Sequence, residues 1–151
     1  MDDASAAASP THEVSIVIPV FQGEKTLAAL VAEIVPLTVP TTTPDGHLFR
    51  VIEVLPVFDN GPDDSARVIR EVAHQHGFVR PIWLSKNFGQ HAATLAGMAS
   101  SGGEWIVTMD EDGEHNPAAI AGMLDAAMRE SCMVVYAKPV NAAPHGFLRN
   151  V

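Results

Sequence analysis

The run VSIVIPV at residues 14–20 is apolar and rich in β-branched side chains, interrupted only by Ser15 and closed by Pro19. Without polar alternation it predicts a strand buried on both faces. The loop Phe21, Gln22, Gly23 follows. Leu27, Leu30, Val31 and Ile34 then recur at i, i+3, i+4 and i+7, the stripe of a core-facing helix, which Pro36 stops. Residues 38–46 hold Pro40, Pro44 and three consecutive threonines and predict a loop. A second strand is predicted over 51–58, with Pro56 favouring an edge or a bulge. Asp59-Asn60-Gly61-Pro62 is a turn signal. Asp63 or Asp64 can cap the next helix, whose apolar face is Val68, Ile69, Val72 and Ala73 and which Gly77 ends.

A short third strand is predicted over 79–84. In the helix after it, Ala92, Ala93, Leu95, Ala96, Met98 and Ala99 lie all around the axis, so it is expected to be buried and tightly packed. The fourth strand is predicted over 105–109. Asn116 and Pro117 read as N-cap and first residue of a helix carrying Ile120, Met123, Leu124, Ala127 and Met128 on one face. A fifth strand is predicted over 133–136.

Strands and helices alternating in this way imply an α/β fold, with a mostly parallel sheet and helices on both faces. In the doubly wound order 3-2-1-4-5 the first and fourth strands are neighbours, and ligands bind outside their carboxyl ends. The loop over 19–24 is then expected to face the loop after strand four. No GxGxxG motif is present, which removes the main support for a dinucleotide-binding domain.

Residues 1–13 are rich in Ala and Ser and lack the basic start and apolar core of a signal peptide, so they are expected to be a disordered lead-in. The domain is expected to occupy 14–137, with an irregular tail over 138–151 that gives no periodic signal. No stretch approaches the 18 or so apolar residues of a membrane span.

Composition narrows the function. A formal net charge of -9, with only nine scattered basic residues, argues against a nucleic-acid partner. The single cysteine, Cys132, excludes an internal disulfide and fits a reducing compartment; the expected location is cytoplasmic, either free or at the cytoplasmic face of the membrane. At the head of an apolar run it is expected in the core.

The candidate chemistry lies after strand four, where Asp110, Glu111, Asp112 and Glu114 crowd into five residues. Such carboxylates repel unless something positive sits between them. A solvated acidic turn with Glu114 at a helix N-terminus is the plain alternative. The apolar strand before them, however, places them at the sheet's ligand-binding edge. Hard cations such as Mg²⁺ or Mn²⁺ favour oxygen ligands, and Mg²⁺ is often held by one or two carboxylates plus substrate phosphates. His74 and His76 suit a helix C-terminus and have no third partner for a metal. His115 adjoins the acidic loop without being a predicted ligand, and Lys86 is as well explained by a solvated loop as by a phosphate contact.

Three stretches carry a family resemblance: VSIVIPVFQGEKTL at 14–27, LSKNFGQHAA at 84–93 with Ala96-Gly97, and MDEDGEHNP at 109–117. The first resembles the opening strand and loop of inverting family 2 glycosyltransferases of the GT-A fold. The other two resemble the branch that glycosylates polyprenyl or dolichyl phosphates. The resemblance spans about residues 14–140 and implies a nucleoside-diphosphate-sugar donor. Pro19, Phe21 and Glu24 would line its pocket, and Phe58 with Asp59 or Asn60 would meet the base. Asp110 and Asp112 would be catalytic and, with Glu114, would hold Mg²⁺ or Mn²⁺ on the diphosphate, with Glu111 nearby through its backbone. The family usually has two aspartates, glycine and serine where this chain has Asp59-Asn60-Gly61-Pro62, and its branch often has Gln at the position of Glu114.

Family members continue well past residue 151 into an acceptor-binding region, some with transmembrane helices. The chain is therefore expected to be a donor-binding portion, with a lipid-phosphate acceptor and a membrane surface engaged through the missing part. A lipid phosphate, with a second pKa near ~6, is largely ionised at neutral pH and needs little help from a general base. Two rivals stand beside this reading. One is a non-catalytic nucleotide-sugar-binding remnant. The other is a phosphatase resembling the haloacid-dehalogenase-like enzymes, whose first motif Asp110-Glu111-Asp112-Gly113 echoes. That motif normally follows the first strand and ends in Thr or Val, where Glu114 stands here.

Overall fold

The computed structural model describes residues 10–137. In chain order these form β1 (Thr11–Val20), α1 (Leu27–Ile34), a 3-10 turn (Val35–Thr38), β2 (Thr41–Thr42), β3 (Leu48–Phe58), α2 (Ser65–Gln75), β4 (Ile82–Trp83), α3 (Gln90–Ser100), β5 (Trp105–Thr108) and α4 (Ala119–Arg129). The sheet runs β2-β3-β1-β5, with β4 also pairing β3. All pairings are parallel except that of the two-residue β2. The predicted strands one to four correspond to β1, β3, β4 and β5, so their expected 3-2-1-4 order holds.

β1 is central because both its faces are apolar. Val14, Ile16, Ile18 and Val20 pack with Leu27, Leu30, Val31 and Ile34 of α1, Val68, Ile69 and Val72 of α2, and Ile120 and Leu124 of α4. On the opposite face Val17 joins Leu55, Val57 and Ala93 of α3. Each fully buried Val, Leu or Ile stabilises the fold by about 1.5–3 kcal/mol. The sheet is thus covered on both sides, unequally. Among the described residues, three helices share one face and α3 takes the other.

α3 approaches its face closely because it carries glycine at the contact. A Cβ on Gly97 would fall 2.3 Å from Val17 Cγ1 and 3.0 Å from Val57 Cγ2. Only Ala93 and Gly97 of this helix are buried, while Leu95 is 65% and Met98 is 40% exposed. The helix is therefore packed on one side, and the expectation of burial all round is corrected. Small apolar residues all round a helix do not distinguish a buried helix from one docked by a narrow stripe.

Other differences have local causes. β1 begins at Thr11, inside the expected lead-in, because Thr11, His12 and Glu13 find partners in Leu48, Phe49 and Arg50 of β3. The Arg50 guanidinium also meets the Glu13 carboxylate. Residues 1–9 lie outside the described residues, as does the expected tail over 138–151. β3 is not an edge strand, yet Pro56 falls where the outer ladder is broken. Val54 exchanges bonds with Phe78 and Arg80, and the pairing resumes only at Val57 with Ile82 of β4. Ala118, not the expected Asn116, is the N-cap of α4; Asn116 opens a turn three residues ahead of the helix, its side-chain oxygen accepting the Ala118 N–H at 2.9 Å. The predicted strand at 133–136 is not formed. Met133 and Tyr136 are each 91% exposed, and Cys132 is half-buried, outside the core. β propensity alone cannot hold a strand that has no neighbour to pair with.

At the amino end of the sheet, Glu53 is buried beneath the turn after α3. It accepts the Ser15 hydroxyl at 2.7 Å, the Gly102 N–H at 2.6 Å and Arg80 Nε at 2.7 Å. Burial works against its charge, but these donors outweigh burial and hold the carboxyl below its usual value of 4.5. A carboxyl depressed in the folded state stabilises above its unfolded pKa and loses that contribution as pH falls through the folded one. Wild type is therefore expected to lose stability as pH drops below about 4.5. Glu53→Gln should be less stable at pH 7 by about 1.5–3 kcal/mol and should show a flatter acid limb. Urea melts from pH 3 to 7 check this, and parallel limbs would exclude Glu53 as a source of the acid sensitivity.

Candidate functional site

The carboxyl ends of β1, β3 and β5 open onto a cleft of about 540 Å³. Its wall is formed by Pro19, Val20, Phe21 and Gln22 after β1, Asp59 after β3, Asn87, Gly89 and Gln90 around the start of α3, and Asp110, Glu111 and Asp112 after β5. The two loops expected to meet at the switch point do meet. The Glu111 carboxylate accepts the backbone N–H of Phe21 and of Gln22, each at 3.1 Å through Oε1. Beyond the backbone contact expected of Glu111, its side chain ties the β1 loop to the acidic loop.

Asp59 is 3% exposed, and its carboxylate is occupied by backbone. Oδ1 accepts the Phe88 N–H at 2.7 Å and Oδ2 the Gly89 N–H at 2.8 Å. It borders the cleft, but its charge anchors the turn that launches α3. Asn60 turns away, its side-chain amide donating to the Leu84 carbonyl at 2.6 Å. Phe58 stacks edge-on against Trp83, with ring centroids 5.5 Å apart, and is not part of the cleft wall.

Glu24 also lies outside this wall. It borders a neighbouring hollow with Gln22, Lys25, Thr26 and Asp63. Its Oε2 accepts the Asp64 N–H at 3.2 Å, while its own N–H donates to Asp63 Oδ2 at 3.0 Å. Asp63 further accepts the Ser65 hydroxyl at 2.5 Å, and Ser65 Oγ accepts the Gly23 N–H at 2.8 Å. Burial opposes the Asp63 charge, but the Ser65 hydroxyl and the N–H groups of Glu24 and Ser65 prevail and hold its carboxyl below the usual range. Glu24 and Asp63 thus lock the β1 loop onto α2.

Asp110 accepts the Gln90 side-chain amide at 2.7 Å through Oδ1, and its N–H donates to His115 Nδ1 at 3.1 Å. Asp112 is exposed, with Oδ1 accepting the Glu114 N–H at 2.9 Å. The oxygen donors of Asp110 and Asp112 suit a hard divalent cation, which is commonly held by one or two carboxylates and completed by substrate phosphates. A three-carboxylate cage is not assembled. Among the described residues no three His, Cys, Asp or Glu side chains converge as ligands, and Glu114 is absent from the cleft wall.

Of the expected site residues, the fold thus gathers Pro19, Phe21, Asp59, Asp110, Glu111 and Asp112 at one cleft, and leaves Glu24, Phe58, Asn60 and Glu114 outside its wall. Asn87, Gly89 and Gln90 had no assigned role from sequence. Their position just ahead of a helix, where polar residues interrupt an otherwise small and apolar stretch, was the available signal.

The mostly parallel α/β sheet, with a carboxylate-bearing loop at this edge, fits the GT-A glycosyltransferase fold. The chain belongs to glycosyl transferase family 2, whose family model matches residues 15–149. It is 34% identical over 119 residues to the undecaprenyl-phosphate 4-deoxy-4-formamido-L-arabinose transferase of Klebsiella pneumoniae (strain 342), covering 78% of this chain and 34% of that protein. The enzyme of the same name from Aeromonas hydrophila is 33% identical over 117 residues, covering 77% and 34%. The chain therefore spans about a third of the length of these relatives.

Among solved structures, S. aureus TarS 1–349 in complex with UDP-GlcNAc matches with a TM-score of 0.56 at 18% identity, over 77% of this chain and 32% of that one. The mannosyltransferase PcManGT of Pyrobaculum calidifontis, in complex with GDP-Man and Mn²⁺, matches with a TM-score of 0.57 at 18% identity, over 68% and 28%. At such identity these likenesses establish the fold alone.

Proposed function

We propose that this chain is the donor-binding part of a metal-dependent inverting glycosyltransferase that moves a sugar from a nucleoside diphosphate to a polyprenyl phosphate. The observation that carries this reading is the meeting of the β1 loop with Asp110, Glu111 and Asp112 in one cleft at the carboxyl ends of β1 and β5. Membership of family 2 sets aside the phosphatase alternative. The names of the relatives support an undecaprenyl-phosphate acceptor, and the bound nucleotide sugars of the structural neighbours support the donor class.

Asp110 and Asp112 would hold Mg²⁺ or Mn²⁺. Such a cation supplies charge neutralisation for the departing nucleoside diphosphate. The chain's own residues do the rest. Gln90 fixes the Asp110 carboxylate, Glu111 sets the height of the β1 loop, and Phe21 and Gln22 border the space left for the nucleotide. A lipid phosphate, mostly dianionic at neutral pH given a second pKa near ~6, attacks the anomeric carbon without a protein base. The membrane surface enters this reading through the lipid acceptor and the part of the family's length that this chain does not span; no helix among the described residues is long and apolar enough to cross a bilayer.

The test is calorimetry with UDP and with GDP, in Mn²⁺ and in EDTA. Binding is expected in Mn²⁺, with at least about a tenfold loss in EDTA, the scale of one charge-assisted contact. Equal affinity in both would overturn the metal role.

A further inference from the structure

We infer that Gln90 is a positioning residue for Asp110, coupling the start of α3 to the acidic loop. This inference rests on the donor-site reading above. Gln90 is the first residue of α3, and its Nε2 donates to Asp110 Oδ1 at 2.7 Å. The residues just ahead of it are held independently. Phe88 and Gly89 donate their N–H groups to the buried Asp59 carboxylate, and Gly89 also donates to Asn87 Oδ1 at 2.9 Å. Asp59 follows directly on β3 and Asp110 follows β5, and β1 lies between those strands. The connection therefore runs from one side of the cleft to the other: the turn's N–H groups bond to Asp59, the chain continues from Gly89 into Gln90, and the Gln90 side chain bonds to Asp110.

The choice of an amide matters. A carboxylate next to two others in sequence has reason to swing into solvent, where water screens it. A neutral donor restrains one of its oxygens and leaves its full negative charge, whereas a lysine at this position would compete with a cation for it. Gln90 is long enough to reach across from the helix while its backbone stays in α3. Asparagine, one methylene shorter, would have to draw the helix start inward against the Asp59 anchor. Because Oδ1 is engaged by Gln90, the carboxylate presents Oδ2 in a fixed direction. A group held in this way loses less freedom on binding than one that must first be ordered.

Two measurements test the inference. The first needs no nucleotide. In a ¹⁵N NMR spectrum the Gln90 side-chain amide is expected to shift when Asp110 becomes Asn, and an unchanged amide would overturn the contact. The second is a double-mutant cycle on the affinity for UDP or GDP in Mn²⁺, using Gln90→Met and Asp110→Asn. Gln90→Met keeps the length and removes the donor. It is expected to weaken binding about tenfold, the scale of one hydrogen bond to a charged group. In the Asp110→Asn background the same change should cost less than about twofold, since residues that act through one another are not additive. Gln90→Asn should not restore binding.

Equal losses in both backgrounds would mean that Gln90 acts on the nucleotide directly and would overturn the positioning role. Wild-type affinity in Gln90→Met would overturn it too. If wild type binds neither nucleotide with Mn²⁺, the donor-site reading fails and the functional role of Gln90 falls with it. The amide measurement then reports separately whether the Gln90–Asp110 contact exists.

Discussion

Gly61→Ala is expected to be the most damaging single change in the loops around the cleft. A Cβ at this position would lie 1.4 Å from the Phe21 carbonyl oxygen, 2.5 Å from its carbon and 3.1 Å from its Cα. All three atoms are backbone, so no rotamer change relieves the overlap. The turn after β3 and the loop after β1 must move apart, and each is held elsewhere: Asp59 by Phe88 and Gly89, Phe21 and Gln22 by Glu111. Overpacking by a methyl among side chains costs about 1–3 kcal/mol. Against fixed backbone the upper end or beyond is expected, so the melting temperature should fall by roughly 6–12 °C. Metal-dependent nucleotide binding should be lost with it, because the displaced segment is the cleft wall. Gly77→Ala is the control, since a Cβ there meets nothing within 4 Å. Equal melting temperatures for the two variants would show that the loops tolerate separation.

Asp112→Asn should produce the opposite profile, a folded protein with a disabled site. Asp112 is exposed and packs against no part of the core. Its contribution is charge at the mouth of the cleft, next to Glu111 and two residues from Asp110 and Glu114. Replacing it by a neutral amide removes a repulsion, so the melting temperature without metal should hold or rise. The same change removes one of the two oxygen donors proposed for the cation. Loss of a partner that merely orients a metal ligand costs about 10–100-fold in affinity. Loss of a ligand itself should cost at least the upper figure, and the Mn²⁺-dependent nucleotide shift in a melting curve should vanish. Retention of the full shift by Asp112→Asn would remove Asp112 from the site.

The contrast between these two variants follows from what each residue does in the fold. Gly61 has no chemistry, and its importance comes entirely from a contact between segments forty residues apart in the chain. Asp112 has chemistry and almost no structural duty. Glu111 stands between them. It is a charged residue in the acidic motif, yet its carboxylate is spent on the Phe21 and Gln22 N–H groups, ninety and eighty-nine residues away in sequence. Asp59 is similar, and its carboxylate serves the α3 turn.

The apolar pattern along the chain is enough to set the alternation of strands and helices, the central place of 14–20 and the edge of the sheet at which the acidic loop lies. Those features follow from the spacing of apolar side chains, which is local: a strand buried on both faces must sit mid-sheet wherever the chain goes next. Which polar groups face the cleft is settled by how the loops cross in the folded chain. Glu24, Asn60 and Glu111 each carry side chains suited to a nucleotide or a cation, but each is engaged by a backbone group from a distant segment: Asp64, Leu84, and Phe21 with Gln22 respectively. A buried or half-buried backbone N–H or carbonyl must find a partner, and in loops that partner is often a side chain rather than a strand. Which side chain serves depends on how the loops cross, and residue type does not record that. The unformed strand at 133–136 has the same cause, since a strand is defined by the neighbour that accepts its hydrogen bonds.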